Sequence, residues 1–172
     1  TNSTDLTLQI AKNHGAVIAQ PADWPGFGPQ KNRALELATG EWVLSLDADE
    51  RLTPALRSEI LTAINHPAQV DCFAIPRLSW YCGRFIRHSG WSPDYVDRLF
   101  KRGTARFSDD LVHERLLPNG QVAKLENPML HFSFMNFSQV LQKIDRYSTA
   151  SAEQAFAKGR RSNPFKAIRS EE

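Results

Sequence analysis

The chain is expected to be α/β, built on a mostly parallel sheet flanked by helices and lacking its first strand. Three observations point there. Trp42, Val43, Leu44 and Leu46 form a nearly unbroken apolar run, the pattern of a strand buried on both faces. Around that run, helical and strand-like segments alternate through the first third of the chain, the order of a parallel sheet with helical crossovers. The chain also opens on the polar Thr1-Asn2-Ser3-Thr4-Asp5, where a doubly wound domain would begin with an apolar strand.

Taken in order, Ser3-Thr4-Asp5 precedes Leu6, Leu8, Ile10 and Ala11, an amphipathic helix expected to end near His14-Gly15. Ala16 to Ala19 reads as a short buried strand. Pro21, Pro25, Gly26 and Gly28 then break any regular pattern, and Trp24 and Phe27 give the loop an apolar surface. A helix is expected from about Pro29 to Ala38, with Gly40 past its end. The apolar strand follows. Thr53-Pro54, an N-cap before a favoured first helical residue, opens a helix to about Ile64.

From Asp71 the pattern changes. Cys72 to Ile75 and Arg98 to Lys101 are strand-like, and Trp80, Tyr81, Phe85 and Trp91 crowd an irregular section with Arg77, Arg84, Arg87 and His88. Those aromatics suit a ligand-facing surface or a satellite core over the sheet, and the satellite core is the simpler expectation for most of them. Leu130-His131-Phe132 is a further strand-like run. Phe137 to Phe156 is the longest helical pattern, with Val140, Leu141, Ile144, Tyr147, Ala150 and Phe156 on one side. Beyond it, Lys158-Gly159-Arg160-Arg161 with Phe165, Lys166 and Arg169 is a basic stretch that fits either an anionic membrane surface or a solvated tail.

The bulk numbers narrow the class. A length of 172 residues with 41% hydrophobic content suits one domain with a sizeable core. A net charge of +2, from 21 basic against 19 acidic residues, does not announce a nucleic-acid binder. No apolar run is long enough to span a bilayer, and no signal-peptide pattern is present. Cys72 and Cys82 are too few for a disulfide scaffold and lack zinc-ligand company, so a reducing, cytoplasmic setting is expected.

The chemistry gathers around Asp47, Asp49 and Glu50, at the carboxyl end of the apolar strand, where open α/β sheets bind ligands. Two carboxylates at i and i+2 can reach one hard divalent cation that keeps room for substrate phosphates, so a metal and diphosphate site is expected. The same acids also precede a helix start. A helix start leaves three like charges unexplained, because they repel unless a cation or a basic group lies among them. Gly26-Phe27-Gly28 lacks the third glycine of a dinucleotide fingerprint, but Lys31 at a helix start can reach a phosphate or a carboxylate. Downstream, Asp109, Asp110, His113 and Glu114 form a second cluster. A carboxylate held between a His and apolar neighbours can serve as a general base; alternatively His113 and Glu114 pair with Arg98 or Arg115. His131 is either a hydrogen-bonded core residue or a further ligand of a site begun by Asp49.

Four segments carry a family resemblance: Asn2-Ser3-Thr4-Asp5-Leu6-Thr7, Gly28-Pro29-Gln30-Lys31-Asn32-Arg33-Ala34, Trp42 through Glu50, and Val112-His113-Glu114 with the later His131. With them the chain resembles the family 2 glycosyltransferases, inverting nucleotide-sugar-dependent enzymes of the GT-A (Rossmann-like) fold. Within that family it is similar to the lipopolysaccharide core branch, the beta-1,4-glucosyltransferases of Gram-negative bacteria. The resemblance implies a nucleotide-sugar site at Ser3, Asp5, Lys31, Asn32, Asp47 and Ala48. It implies Mg²⁺ or Mn²⁺ held by Asp49, with His131, and Glu114 as the base that deprotonates the acceptor hydroxyl, Asp110 being the fallback. The implied partners are a nucleotide-sugar donor such as UDP-glucose, a saccharide or lipid-linked acceptor, and a membrane surface on the inner face of the plasma membrane. Residues 1–70 would form the nucleotide-sugar half, 71–135 the acceptor-side half and 136–172 the C-terminal helix and basic tail.

Family members start with a strand and an acidic segment not found before Thr1, and continue with apolar sequence past the long helix. Two other functions use the same residues: a metal-dependent hydrolase or nucleotidyltransferase, which needs no saccharide acceptor, and a non-catalytic nucleotide-sugar-binding fragment.

Overall fold

A computed structural model describes residues 3–66, 69–109, 114–157 and 159. Helix α1 spans Thr7–Asn13, and the Thr7 amide donates to Asp5 Oδ1 at 3.0 Å, which satisfies one of the orphan donors of the first turn. Helix α2, Phe27–Glu36, starts two residues earlier than the proline alone suggests, because Gly26 takes φ +115° and turns the chain directly into it. Helix α3 covers Pro54–Asn65; Thr53 Oγ1 accepts from the Leu56 amide at 3.1 Å, a cap worth about 1 kcal/mol. The long C-terminal helix α4 is Phe137–Ala157.

The strands are β1 Trp42–Leu44, β2 Glu50–Arg51, β3 Cys72–Tyr81, β4 Arg84–Phe85, β5 Asp94–Lys101, β6 Ala105–Phe107, β7 Leu116–Pro118, β8 Val122–Lys124 and β9 Met129–Phe134. One seven-stranded sheet runs in the order β1-β5-β3-β9-β2, with β4 and β8 also against β3, while β6 and β7 form a separate two-stranded ribbon. The α/β class holds, but the sheet is mixed where a mostly parallel one is expected. β8 and β9 run parallel to β3, whereas β1–β5, β3–β5, β3–β4 and β2–β9 are antiparallel. Apolar patterning reports which faces are buried and is blind to the direction of the neighbour, and β1 takes its partner from far downstream.

Two further expectations are corrected. Ala16 to Ala19 pairs with no strand among the described residues, and Val17 is 82% exposed; a strand-like sequence becomes a strand only where a neighbour supplies hydrogen bonds. β1 is an edge strand of half-buried residues. It still serves both faces: Trp42 and Leu44 pack on one core while Val43 packs on the other.

The sheet thus separates two apolar layers. On one face α3 buries Leu56 and Ile60 against Phe73, Ile75, Leu99, Leu125 and Met129. On the other, Cys72 and Phe100 meet Ala105, Phe107 and Leu116 of the ribbon, with Leu35 of α2 at the margin. The crowded aromatics pack on one another at the end of β3 and β9, with Trp80–Phe85 at 4.9 Å and Tyr81–Phe134 at 5.6 Å, edge to face. They form a half-buried cluster apart from the two cores, with Trp91 exposed at its edge.

Helix α4 buries Val140, but Leu141, Ile144 and Phe156 are exposed, so the expected apolar side is only partly covered. Among the described residues no helix is long and apolar enough to cross a membrane. The basic stretch beyond α4, Gly159 aside, lies outside the described residues.

Candidate active site

The site is organised by an irregularity in the pairing of β3 with β5. Phe73 lies opposite Leu99 and Ala74 opposite Asp97, so Arg98 is the extra residue of a β-bulge. Bulges re-aim side chains. Here Arg98 turns towards the acids after β1: its Nη2 meets Asp47 Oδ2 at 2.5 Å and Glu50 Oε1 at 2.6 Å. Its carbonyl accepts from the Ser45 amide at 2.8 Å, which extends the β1–β5 contact to the edge of the acid loop. Glu50 closes that loop by accepting from the Asp47 amide at 2.8 Å, while its own amide donates to the Asp47 carbonyl at 3.0 Å.

Two of the three acids of this loop, Asp47 and Glu50, therefore share a basic partner, and it comes from β5. Arg98 and Glu50 are 6% and 3% exposed, so this is a buried ion pair. Burial by itself would lower the pKa of the Arg98 guanidinium, but the charges of Glu50 and Asp47 outweigh burial and raise it.

The second cation is Lys31, carried on the first turns of α2. That helix can approach because residue 28 has no side chain: a Cβ at Gly28 would lie 1.8 Å from the Ser108 carbonyl oxygen. Lys31 Nζ then lies 2.8 Å from Asp47 Oδ1 and 2.8 Å from Glu114 Oε1. One ammonium thus bridges the acid loop and the downstream carboxylate, in place of the Arg98 or Arg115 partner considered for Glu114. Burial would raise the Asp47 carboxyl, but the hydrogen bond from Lys31 and the charges of Arg98 and Lys31 prevail and hold its pKa below the ordinary value.

Asp49 faces elsewhere. β2 pairs with β9 so that Glu50 lies opposite His131, and the Phe132 amide donates to the Asp49 carbonyl at 2.8 Å. That register brings His131 Nε2 to 3.4 Å from Asp49 Oδ2. The hydrogen bond from His131 lowers the Asp49 carboxyl, against the opposing effect of burial. Among the described residues no third His, Cys, Asp or Glu joins them as a metal-binding group.

A cleft of about 620 Å³ lies over Lys31, Asp47, Arg98 and Glu114 and extends to Arg77 and Tyr95. A smaller hollow of about 310 Å³ holds His131, Ser79 and Ser133 and shares Arg77 with the first. The larger apolar hollow, about 740 Å³ between α1, residues 16–21 and α2, contains none of these acids.

Comparison with known proteins fits this geometry. Residues 1–114, from the start through Glu114, match the model of the family described as glycosyl transferase family 2. The chain belongs to glycosyl transferase family 2. The mixed α/β sheet is accordingly a GT-A type fold.

Among similar members of the family, the lipopolysaccharide core biosynthesis glycosyltransferase LpsC of Rhizobium meliloti (strain 1021) is 30% identical over 152 residues, which cover 84% of this chain and 54% of LpsC. An uncharacterized glycosyltransferase of Rickettsia typhi is 28% identical over 176 residues, 95% of this chain and 60% of the relative. The chain therefore spans little more than half the length of these relatives.

Against this family background the implied site residues divide. Lys31, Asp47 and Glu114 come together at one cleft, and Asp49 meets His131. Asn32 is occupied elsewhere: its side-chain amide exchanges two hydrogen bonds with the Phe107 backbone, at 3.0 and 2.8 Å, and ties α2 to β6. Asp5 accepts from the Thr7 amide at the start of α1, Ser3 is exposed, and Ala48 offers its carbonyl to Arg51 at 2.9 Å. Asp110 and His113 lie outside the described residues. Arg98 is the central residue that sequence reasoning did not assign to the site; the signal for it was the uncompensated charge of three adjacent acids.

Proposed function

We propose that the protein is an inverting hexosyltransferase that takes glucose from UDP-glucose and delivers it to a lipopolysaccharide core or other lipid-linked saccharide. The observation that carries this is the pair of 2.8 Å contacts from Lys31 to Asp47 and Glu114: the two carboxylates here proposed for donor and acceptor share one ammonium. The name of LpsC supports the acceptor class.

An incoming diphosphate competes with both carboxylates for Lys31 and draws it away, which frees Glu114. Glu114 then takes the proton of the acceptor hydroxyl as that oxygen bonds to the anomeric carbon on the face opposite the diphosphate. The bond to the diphosphate breaks in the same displacement, and Lys31 and Arg98 stand beside the charge that develops. Asp47 orients the nucleotide while Arg98 and Glu50 hold its loop.

Asp49 and His131 are the residues that would hold Mg²⁺ or Mn²⁺. Their donor atoms are 3.4 Å apart, near the spacing of about 3 Å between adjacent ligands at about 2.1 Å from an octahedral ion. A carboxylate and an imidazole also suit such ions, with oxygens of the diphosphate to complete the shell. When bound, the cation neutralises charge on the departing diphosphate.

Residues 1–70 are assigned to the donor and 71–135 to the acceptor, with strands of both in the one sheet. The exposed Phe137, Leu141 and Ile144 of α4 support a peripheral place on the cytoplasmic face of a membrane.

Calorimetric titration with UDP-glucose, UDP-galactose, UDP-GlcNAc and a GDP-sugar, each with and without Mn²⁺, tests the donor. Mn²⁺-dependent binding of UDP-glucose above the others is expected. A folded protein that binds none of them overturns the proposal.

A further inference from the structure

His131 stands in an uneven set of neighbours. Its Nε2 faces the Asp49 carboxylate at 3.4 Å, while its Nδ1 meets two hydroxyls, Ser79 Oγ at 3.2 Å and Ser133 Oγ at 2.9 Å. The other distance from Ser133, 3.5 Å to Nε2, is too long to compete. Both serines are placed by the sheet: Ser79 on β3 lies in register with His131 on β9, and Ser133 follows two residues along β9 on the same face. Ser79 is 5% exposed, so its hydroxyl has little recourse to water.

The chemistry of these partners differs. A carboxylate only accepts, so the ring nitrogen that faces it carries the proton, and Nδ1 is left to accept from the hydroxyls. A metal ligand needs the opposite arrangement, with a lone pair on Nε2 and the proton on Nδ1, where an acceptor must receive it. A backbone carbonyl at Nδ1 would enforce one of these states. A serine hydroxyl serves both, because it changes from donor to acceptor by rotating a hydrogen while its oxygen stays in place.

We infer that Ser79 and Ser133 are positioning residues that let the His131 ring exchange tautomer and present Nε2 to a divalent cation beside Asp49. This rests on the assignment of Asp49 and His131 as metal ligands. One proton leaves Nε2 to solvent and one is taken up at Nδ1, so the exchange conserves the protons of the ring. The serines touch neither cation nor substrate; they act through the ring.

The test uses the full chain labelled with ¹⁵N in histidine, read by long-range ¹H–¹⁵N correlation without metal and then with Mg²⁺ and UDP. The proton is expected on Nε2 without metal and on Nδ1 with it. A His131 that carries its proton on Nδ1 in both conditions overturns the exchange. In parallel, Mn²⁺ binding in the presence of UDP is titrated by electron paramagnetic resonance. Ser79→Ala/Ser133→Ala is expected to bind Mn²⁺ about tenfold or more weakly, and Ser133→Thr, which keeps a hydroxyl, to bind as the parent does. Thermal melts of each variant separate loss of affinity from loss of fold, with Ser133→Ala alone as the milder change. If the parent binds Mn²⁺ and the double variant binds it equally well, the serine role falls while the metal assignment stands. If the parent binds no Mn²⁺ with UDP present, both fall.

Discussion

Lys31 Nζ and Glu114 Oε1 lie 2.8 Å apart, although 83 positions in sequence separate them (114 − 31). This ion pair occupies the carboxylate until the ammonium finds another anion. Glu114→Gln should therefore reduce transfer by about 10²- to 10⁴-fold, the usual range for loss of a general base, while UDP-glucose binding persists. Initial rates beside a donor titration check this, and unaltered turnover would remove Glu114 from the mechanism.

Arg98 is held for charge more than for shape. Replacing it with Met keeps much of its volume but leaves the buried Glu50 carboxylate without its partner, and removing one member of such a pair costs about 3–5 kcal/mol. Urea unfolding of Arg98→Met should show a loss of that order, and Arg98→Met/Glu50→Gln should recover part of it. Equal losses in the two variants would argue that packing matters more than the ion pair.

At Gly28 the constraint is space. A Cβ placed 1.8 Å from the Ser108 carbonyl oxygen forces backbone to move on one side or the other. Gly28→Ala should cost about 1–3 kcal/mol, as overpacking does, and should weaken donor binding as well because α2 carries Lys31. A variant as stable as the parent, with donor affinity intact, would show that the approach of α2 is not needed.

The acid limb of stability should depend on Asp47. Its folded pKa lies below the ordinary value, so its contribution is complete above the unfolded pKa of about 3.9 and disappears as pH falls through the lower folded value. Asp47→Asn should lower Tm at pH 7 and narrow the gap to the parent as pH falls below about 4. A gap that stays constant from pH 7 to pH 3 would contradict this.

Asp49→Asn should weaken donor binding in Mn²⁺ while leaving the weaker metal-free binding nearly unchanged. Calorimetry in the two buffers separates these, and an undiminished Mn²⁺ effect would exclude Asp49 as a ligand.

Much of the site was legible in local sequence. Thr53-Pro54 marks the start of α3 because capping is decided within four residues, and the acids after the Trp42 to Leu46 run mark a loop that needs a basic partner because like charges repel. The direction of the strands was not legible, since burial imposes the same apolar pattern in either direction. The fate of Asn32 was not legible either, because its partner is a backbone group on β6.

By itself, then, the sequence determined the α/β class, the start of α3 and the family to which these residues belong, and it marked the acid loop. Only the tertiary structure decided which cation answers the acids. Arg98 reaches Asp47 and Glu50 through a one-residue bulge in the β3–β5 register, and Asp49 meets His131 through the pairing of β2 with β9. Register is a property of two strands at once, fixed by packing on both faces of the sheet, so no single segment carries it.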